Sequence, residues 1–150
     1  MGSPVKILPL YTYTNKEQWE GKWEQIENIP YAMSPSFVPE HQCIAFNLTS
    51  LFHGQLKECR NCTVCQPIYY RIADDTIDLD MLVVRQEIKE KYLDFPPTLV
   101  AEILSHSPLL KDRHSKFYLY ESQKVKYYLI IGTHDPTIEI SRWNGAAYQL

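Results

Sequence analysis

I-D-L-D-M-L-V-V, residues 77–84, and P-P-T-L-V-A-E-I-L-S, residues 96–105, are the stretches on which the fold turns. Side chains of an extended chain alternate between two faces. The first stretch therefore predicts Asp78, Asp80, Leu82 and Val84 on one face, with Ile77, Leu79, Met81 and Val83 on the other. Asp80 stands where a polar strand start gives way to an apolar run. In the second stretch Glu102 sits among apolar neighbours, with Val100 and Leu104 on its own face. Burying a carboxylate there is costly unless it is paired or holds a metal. Both readings of Glu102 stand at this point, because structural ion pairs occupy such positions too.

Working outward, Trp23–Met33 alternates around Glu27-Asn28 and predicts a β-hairpin. Residues 1–18 read as an N-terminal extension, with a short helix around Asn15–Trp19. A helix is expected after Ser36, a fair N-cap, with Pro39 and Glu40 in its first turn and its end near Lys57. Its apolar stripe is Ile44, Leu48, Leu51, Phe52 and Leu56. Thr63–Ile72, Thr76–Val84 and Leu99–Leu104 read as strands. The charged run Arg85–Phe95 reads as a loop with a helical turn that leads to Pro96-Pro97. A second helix fits Leu110–Gln123. Strands at Lys126–Ile131 and Thr137–Arg142 follow, then a turn at Asn144-Gly145. This order predicts an α/β chain of the α+β type, a mixed sheet flanked by helices, in one domain spanning residues 1–150.

Composition limits the function. With 45% hydrophobic and 22% charged residues, the chain falls with soluble globular proteins rather than disordered ones. No apolar run reaches the roughly 18 residues of a membrane span. Met1-Gly2-Ser3-Pro4 lacks the features of a secretory leader, so the cytoplasm is the expected compartment. A net charge of −3 argues against a protein that grips nucleic acid through a broad basic surface; affinity would then come from a local patch or from a metal. Cys59, Cys62 and Cys65 form a C-x-x-C-x-x-C run that invites a zinc reading. No second pair lies nearby to close a tetrahedron, so His53 or Cys43 would have to supply the fourth ligand. Ordinary thiols in a reducing compartment are the expectation.

The helix after Glu102 adds a cation. Asp112, Lys116 and Tyr120 recur at i, i+4 and i+8 and share a face. Lys116 either pairs with Asp112 along the helix or turns towards the carboxylates, where its ammonium could stabilise charge on a phosphate. His41, near a helix start, has no acidic partner nearby in sequence and reads as a capping or packing residue rather than a general base.

These segments resemble the Uma-two family of restriction-endonuclease-like proteins, a branch of the PD-(D/E)XK nucleases. The matching stretches are Trp23–Pro35, His41, Leu79–Val84, Pro96–Ser105, Asp112–Tyr120 and Val125–Ile130. The resemblance implies a restriction-endonuclease-like fold and hydrolysis of phosphodiester bonds, with nucleic acid, most simply DNA, as partner and a homodimer to cut both strands. It implies that Asp80 and Glu102 bind Mg²⁺ or Mn²⁺, with the backbone carbonyl of Ile103 as a further ligand. Lys116 would act on the attacking water or the phosphate, and Glu24 would add to the site. Leu79 departs from the family's usual proline, and Leu104 occupies the usual lysine position of the superfamily. Catalysis would then depend on Lys116 reaching the site from the next helix.

Overall fold

The computed structural model describes residues 12–20, 23–32, 39–104, 111–133 and 136–150. In chain order the elements are α1 (Tyr13–Lys16), β1 (Trp23–Ile26), β2 (Ile29–Ala32), α2 (Pro39–Gln55), β3 (Thr63–Cys65), β4 (Ile68–Ile72), β5 (Asp75–Leu79), β6 (Met81–Val84) and β7 (Leu99–Leu104). A π-helical turn, Lys111–Lys116, then runs into α3 (Phe117–Ser122), followed by β8 (Tyr127–Gly132), β9 (Thr137–Trp143) and β10 (Tyr148–Gln149). The expected helix-flanked mixed α+β architecture is present, with its strands divided between two sheets. One has the order β2-β1-β5-β4 and the other β10-β9-β8-β7-β6-β3. Among the described strands, β7 and β8 pair in parallel. The other described pairs are antiparallel.

The division falls at Asp80. The predicted strands Thr63–Ile72 and Thr76–Val84 are the two arms of one hairpin, and each arm is broken. Ile68 pairs with Leu79 on one side of the break and Cys65 with Leu82 on the other, so the register is continuous across it. That register sets Pro67 opposite Asp80. Proline has no N–H to continue a ladder, and the pairing parts there. Both arms turn over together at this point. Ile77 and Leu79 share a core with Leu82 and Val84, whereas Met81 and Val83 belong to the opposite core. This corrects the expected grouping of Ile77 and Leu79 with Met81 and Val83.

The β1–β2 turn forms at Glu27 and Asn28 as expected, with φ of 54° and 60°. Two central residues in the left-handed region match the twist of a tight hairpin. Asp75 on β5 holds the turn, accepting the N–H groups of Glu27 and Asn28 at 2.9 and 2.7 Å. The hairpin is thereby fixed to β5, and Glu24 is aimed at the core.

The six-stranded sheet separates two apolar clusters. Val100 and Leu104 of β7 face the first, with Tyr120 of α3 and Tyr128 of β8. Leu99, Ala101 and Ile103 face the second, against Ile44, Ala45, Leu48 and Phe52 of α2 and Leu56 just beyond it. Leu51, expected in that stripe, is exposed instead. It lies one residue step, about 100°, from Phe52 around the helix. The expected helix start at Ser36 lies outside the described residues, as does Leu110. The early helix spans Tyr13–Lys16 rather than Asn15–Trp19.

Candidate functional site

Lys116 stands where the π-helical turn passes into α3, and its side chain is buried at 2% exposure. Its Nζ lies 2.9 Å from Oε1 of Glu24 and 3.0 Å from Oε1 of Glu102, and it donates to the backbone carbonyl of Asp78 at 3.3 Å. An ammonium carries three N–H donors, so all three have acceptors here. Oε1 of Glu24 also accepts the Asp78 N–H at 2.9 Å. Oε1 of Glu102 also accepts the Tyr120 hydroxyl at 2.7 Å. Burial, with Glu102 beside it, pushes the Tyr120 phenol well above its ordinary pKa. It therefore stays a neutral donor.

Three elements converge to make this cluster. β1 brings Glu24, β7 brings Glu102, and the turn into α3 brings Lys116 and Tyr120 four residues apart on one helical face. Of the two orientations open to Lys116, the structure shows the one turned towards the carboxylates. The side chain of Asp112 lies outside the described residues.

Asp80 occupies the bend between the sheets. The β6–β7 register pairs Met81 with Ala101. One step further, it sets Asp80 opposite Glu102. Because the other arm of the bend has left for the second sheet, the β7 edge beyond Ala101 is released there, and Oδ2 of Asp80 accepts the Ile103 N–H at 2.8 Å. In an extended strand the N–H and C=O of one residue leave on the same side, so the Ile103 carbonyl leaves β7 on the edge that carries its N–H. Oδ1 of Asp80 lies 3.4 Å from Nε2 of His41, with the two side chains 20% and 19% exposed. Burial alone would raise the Asp80 pKa. Hydrogen bonding to His41 and Ile103 and the charges of His41 and Lys116 outweigh it and hold the carboxyl below its ordinary value.

Among the described residues no three His, Cys, Asp or Glu side chains converge as a metal-holding cluster. The donors that would hold an ion are the carboxylates of Asp80 and Glu102 and the Ile103 carbonyl. Mg²⁺ keeps several waters and is commonly held by one or two carboxylates plus substrate phosphate. The donor set fits a site of that kind, completed by water and substrate rather than by protein alone.

The cysteines differ from expectation. Cys59 and Cys62 are joined in a disulfide, while Cys43 and Cys65 are free. The two bonded sulfurs are not thiolate donors, so Cys59, Cys62 and Cys65 form no zinc set in this state. C-x-x-C spacing accommodates either a disulfide or two metal ligands, and here it is used for the first. Burial pushes the Cys65 thiol above its ordinary pKa, which keeps it protonated.

Two residues at the site have roles that sequence reasoning did not assign. Tyr120 shares a helical face with Lys116 in the sequence, and in the fold its hydroxyl meets Glu102. His41 has no acidic partner nearby in sequence, and in the fold it faces Asp80.

Two sheets flanked by a few helices, with Asp80 at the bend between them, Glu102 on β7 and Lys116 entering α3, make up a nuclease-like fold. The chain belongs to the Uma2 family, described as "Putative restriction endonuclease", whose model matches residues 10–150. It shares the fold of a crystal structure described as a putative nuclease belonging to DUF820, from Anabaena variabilis. That likeness has a TM-score of 0.74 at 16% identity, over 89% of this chain and 80% of the other. No curated protein matches the chain. None of the described helices is long and apolar enough to cross a membrane.

Proposed function

We propose that the protein is a divalent-metal-dependent endonuclease that hydrolyses phosphodiester bonds in DNA. The observation that carries this reading is the buried Lys116, held between Glu24 and Glu102 with its charge also acting on the partly exposed Asp80. Asp80 and Glu102, with the Ile103 carbonyl, would hold Mg²⁺ or Mn²⁺. When bound, the ion supplies a water acidified for attack and a positive charge against the phosphate.

The chain's own residues set up that chemistry. The Ile103 N–H fixes one oxygen of Asp80, so the carboxylate is presented rather than free to rotate. Tyr120 and Lys116 together fix Oε1 of Glu102. Lys116 places a fixed positive charge beside the position where negative charge would grow on the phosphate. Fixed charges aimed at a developing charge lower a barrier without reorganising during the reaction. Asp80 is the partly exposed member, so substrate approaches from its side.

The net charge of −3 favours a second reading, a catalytically silent nucleic-acid-binding or regulatory domain on the same fold. Cleavage of plasmid and single-stranded DNA with Mg²⁺ or Mn²⁺ separates the two. The endonuclease reading requires metal-dependent cutting that Glu102→Ala abolishes. Cutting that survives this substitution belongs to a contaminant or another site. Binding without cutting, at saturating metal, supports the silent reading.

A further inference from the structure

We propose that the Cys59–Cys62 disulfide is a reversible redox site, opened to a dithiol by thiol reductants and closed again by their disulfides, rather than a structural staple. It stands apart from the carboxylate site and does not depend on how that site is read.

The bridge does little to hold the chain together. Stabilisation by a disulfide grows with the length of chain it encloses. Cys59 and Cys62 are three residues apart, in the connection between α2 and β3, so the enclosed loop is minimal. Other contacts already close that connection. The Cys59 N–H donates to the Leu56 carbonyl at 3.0 Å, and the Cys62 N–H donates to the Cys59 carbonyl at 3.2 Å. Phe52 and Leu56 before the loop and Val64 after it pack against the second apolar cluster. The turn that brings the two sulfurs together is therefore kept when the bond between them opens, and the same bond can re-form.

The surroundings of the pair suit its open form. Cys59 and Cys62 are partly exposed and Arg60 and Asn61 between them are exposed, so a thiolate reaches the sulfurs from solvent. Oδ1 of Asn61 lies 3.5 Å from Sγ of Cys59. A disulfide sulfur has no proton to donate, whereas a thiol has one, so this oxygen becomes an acceptor for Cys59 only after reduction. The same oxygen accepts from Nη2 of Arg85 at 3.4 Å. Lys57, Arg60 and Arg85 outnumber Glu58 around the loop. Positive charge there favours the thiolate form through which exchange runs.

Cys65 does not compete for the bridge. It lies on β3 opposite Leu82, with its side chain against the first apolar cluster. Three residues of extended chain span about 10 Å, beyond the roughly 7 Å between Cα atoms that a bridge tolerates. Exchange therefore stays between Cys59 and Cys62, whose Cα atoms are 5.3 Å apart.

The reaction balances with two thiols. One thiolate attacks a sulfur of the pair, forming a mixed disulfide and releasing the other cysteine as a thiolate that takes up a proton. A second thiolate displaces the protein from the mixed disulfide and leaves the reductant as its own disulfide. Two electrons and two protons pass to the protein, and the reverse sequence closes the bridge.

To test this, the full chain is equilibrated in glutathione buffers from fully reduced to fully oxidised, quenched with acid and alkylated, and its peptides are weighed. Cys59 and Cys62 should both take the label in excess reduced glutathione and lose it together as the oxidised form rises, with the circular dichroism of the fold unchanged. Asn61→Ala should move the midpoint about threefold towards the disulfide, because the reduced thiol has lost its acceptor. An unmoved midpoint overturns the part assigned to Asn61. A bridge that stays closed in excess glutathione until urea unfolds the chain is a structural staple and overturns the proposal. Unfolding that accompanies reduction overturns it too. Stoichiometric zinc in the reduced protein, read by elemental analysis, would make the cysteine run a metal site and overturn it as well.

Discussion

The two ends of the site are built on opposite terms. At the closed end Glu24, Glu102, Lys116 and Tyr120 are 0–3% exposed, and their polar atoms meet one another across three elements. At the open end Asp80 and His41 are about one-fifth exposed and meet at 3.4 Å. Charges taken out of water are tolerated only with partners, and removal of one partner strands the rest. The closed end is therefore a unit, in which each residue holds the others in place. Water solvates the open end, so its residues can change partners, as metal or substrate binding requires. The lysine that stabilises charge is kept rigid, while the carboxylate that receives the ion is kept accessible.

Lys116→Met should break the comparison most severely. It leaves Glu24 and Glu102 buried without their shared cation, a loss on the order of 3–5 kcal/mol. Urea denaturation would show it as a large drop in midpoint. Pairing the substitution with Glu24→Gln should recover part of the loss, because one of the two stranded charges is then gone. A cost below about 1 kcal/mol, the range of exposed pairs, would mean that the closed end is not a charge cluster at all.

Tyr120→Phe comes next. It removes one hydrogen bond to a charged acceptor and leaves the ring packed against Tyr128, whose centroid is 4.9 Å away. The expected cost is about 1.5–3 kcal/mol. If Tyr120 positions Glu102, the variant should also weaken divalent-ion binding, measured by calorimetry. Loss of stability with ion affinity unchanged would confine Tyr120 to packing.

Legibility in the sequence followed the same divide. β7 matches the predicted Leu99–Leu104 because it is apolar on both faces, a pattern set within six residues. The Glu27-Asn28 turn was legible because its chemistry is local. The turnover at Asp80 was not legible, because the alternation ends there and the apolar run M-L-V-V marks neither face. The cause is Pro67, which lies on the other arm of the hairpin. Lys116 and Tyr120 were visible as one helical face, but which way that face points depends on how the π-helical turn meets the sheet. His41 and Asp80 are separated by the whole of α2 and the hairpin, and no spacing rule joins them. Glu102 could be flagged early because a lone acid in an apolar strand is a local anomaly. Its partners could not, since each comes from a different element.

Asp80→Asn should separate stability from function. The amide can still accept from the Ile103 N–H, so the loss of stability at neutral pH is expected to stay below about 1 kcal/mol. Divalent-dependent cleavage should fall to background, because a neutral amide is a poor donor for a hard cation. Substantial unfolding in this variant would remove the distinction between the two ends.

The smallest effect expected is the pH dependence of that same stability difference, and it carries the sharpest sign. The folded-state pKa of Asp80 is depressed. The stabilisation that its charge contributes is therefore fully present above the unfolded carboxyl value of about 3.9 and is lost as pH falls through the lower folded value. The difference between the native chain and Asp80→Asn should stay level across neutral pH while His41 remains in one state. Below about pH 4 it should shrink. Denaturation at a series of pH values checks this. A difference that grows on acidification would mean that Asp80 is protonated more readily in the folded state. In that case burial outweighs His41, Ile103 and Lys116, and Asp80 belongs with the closed end.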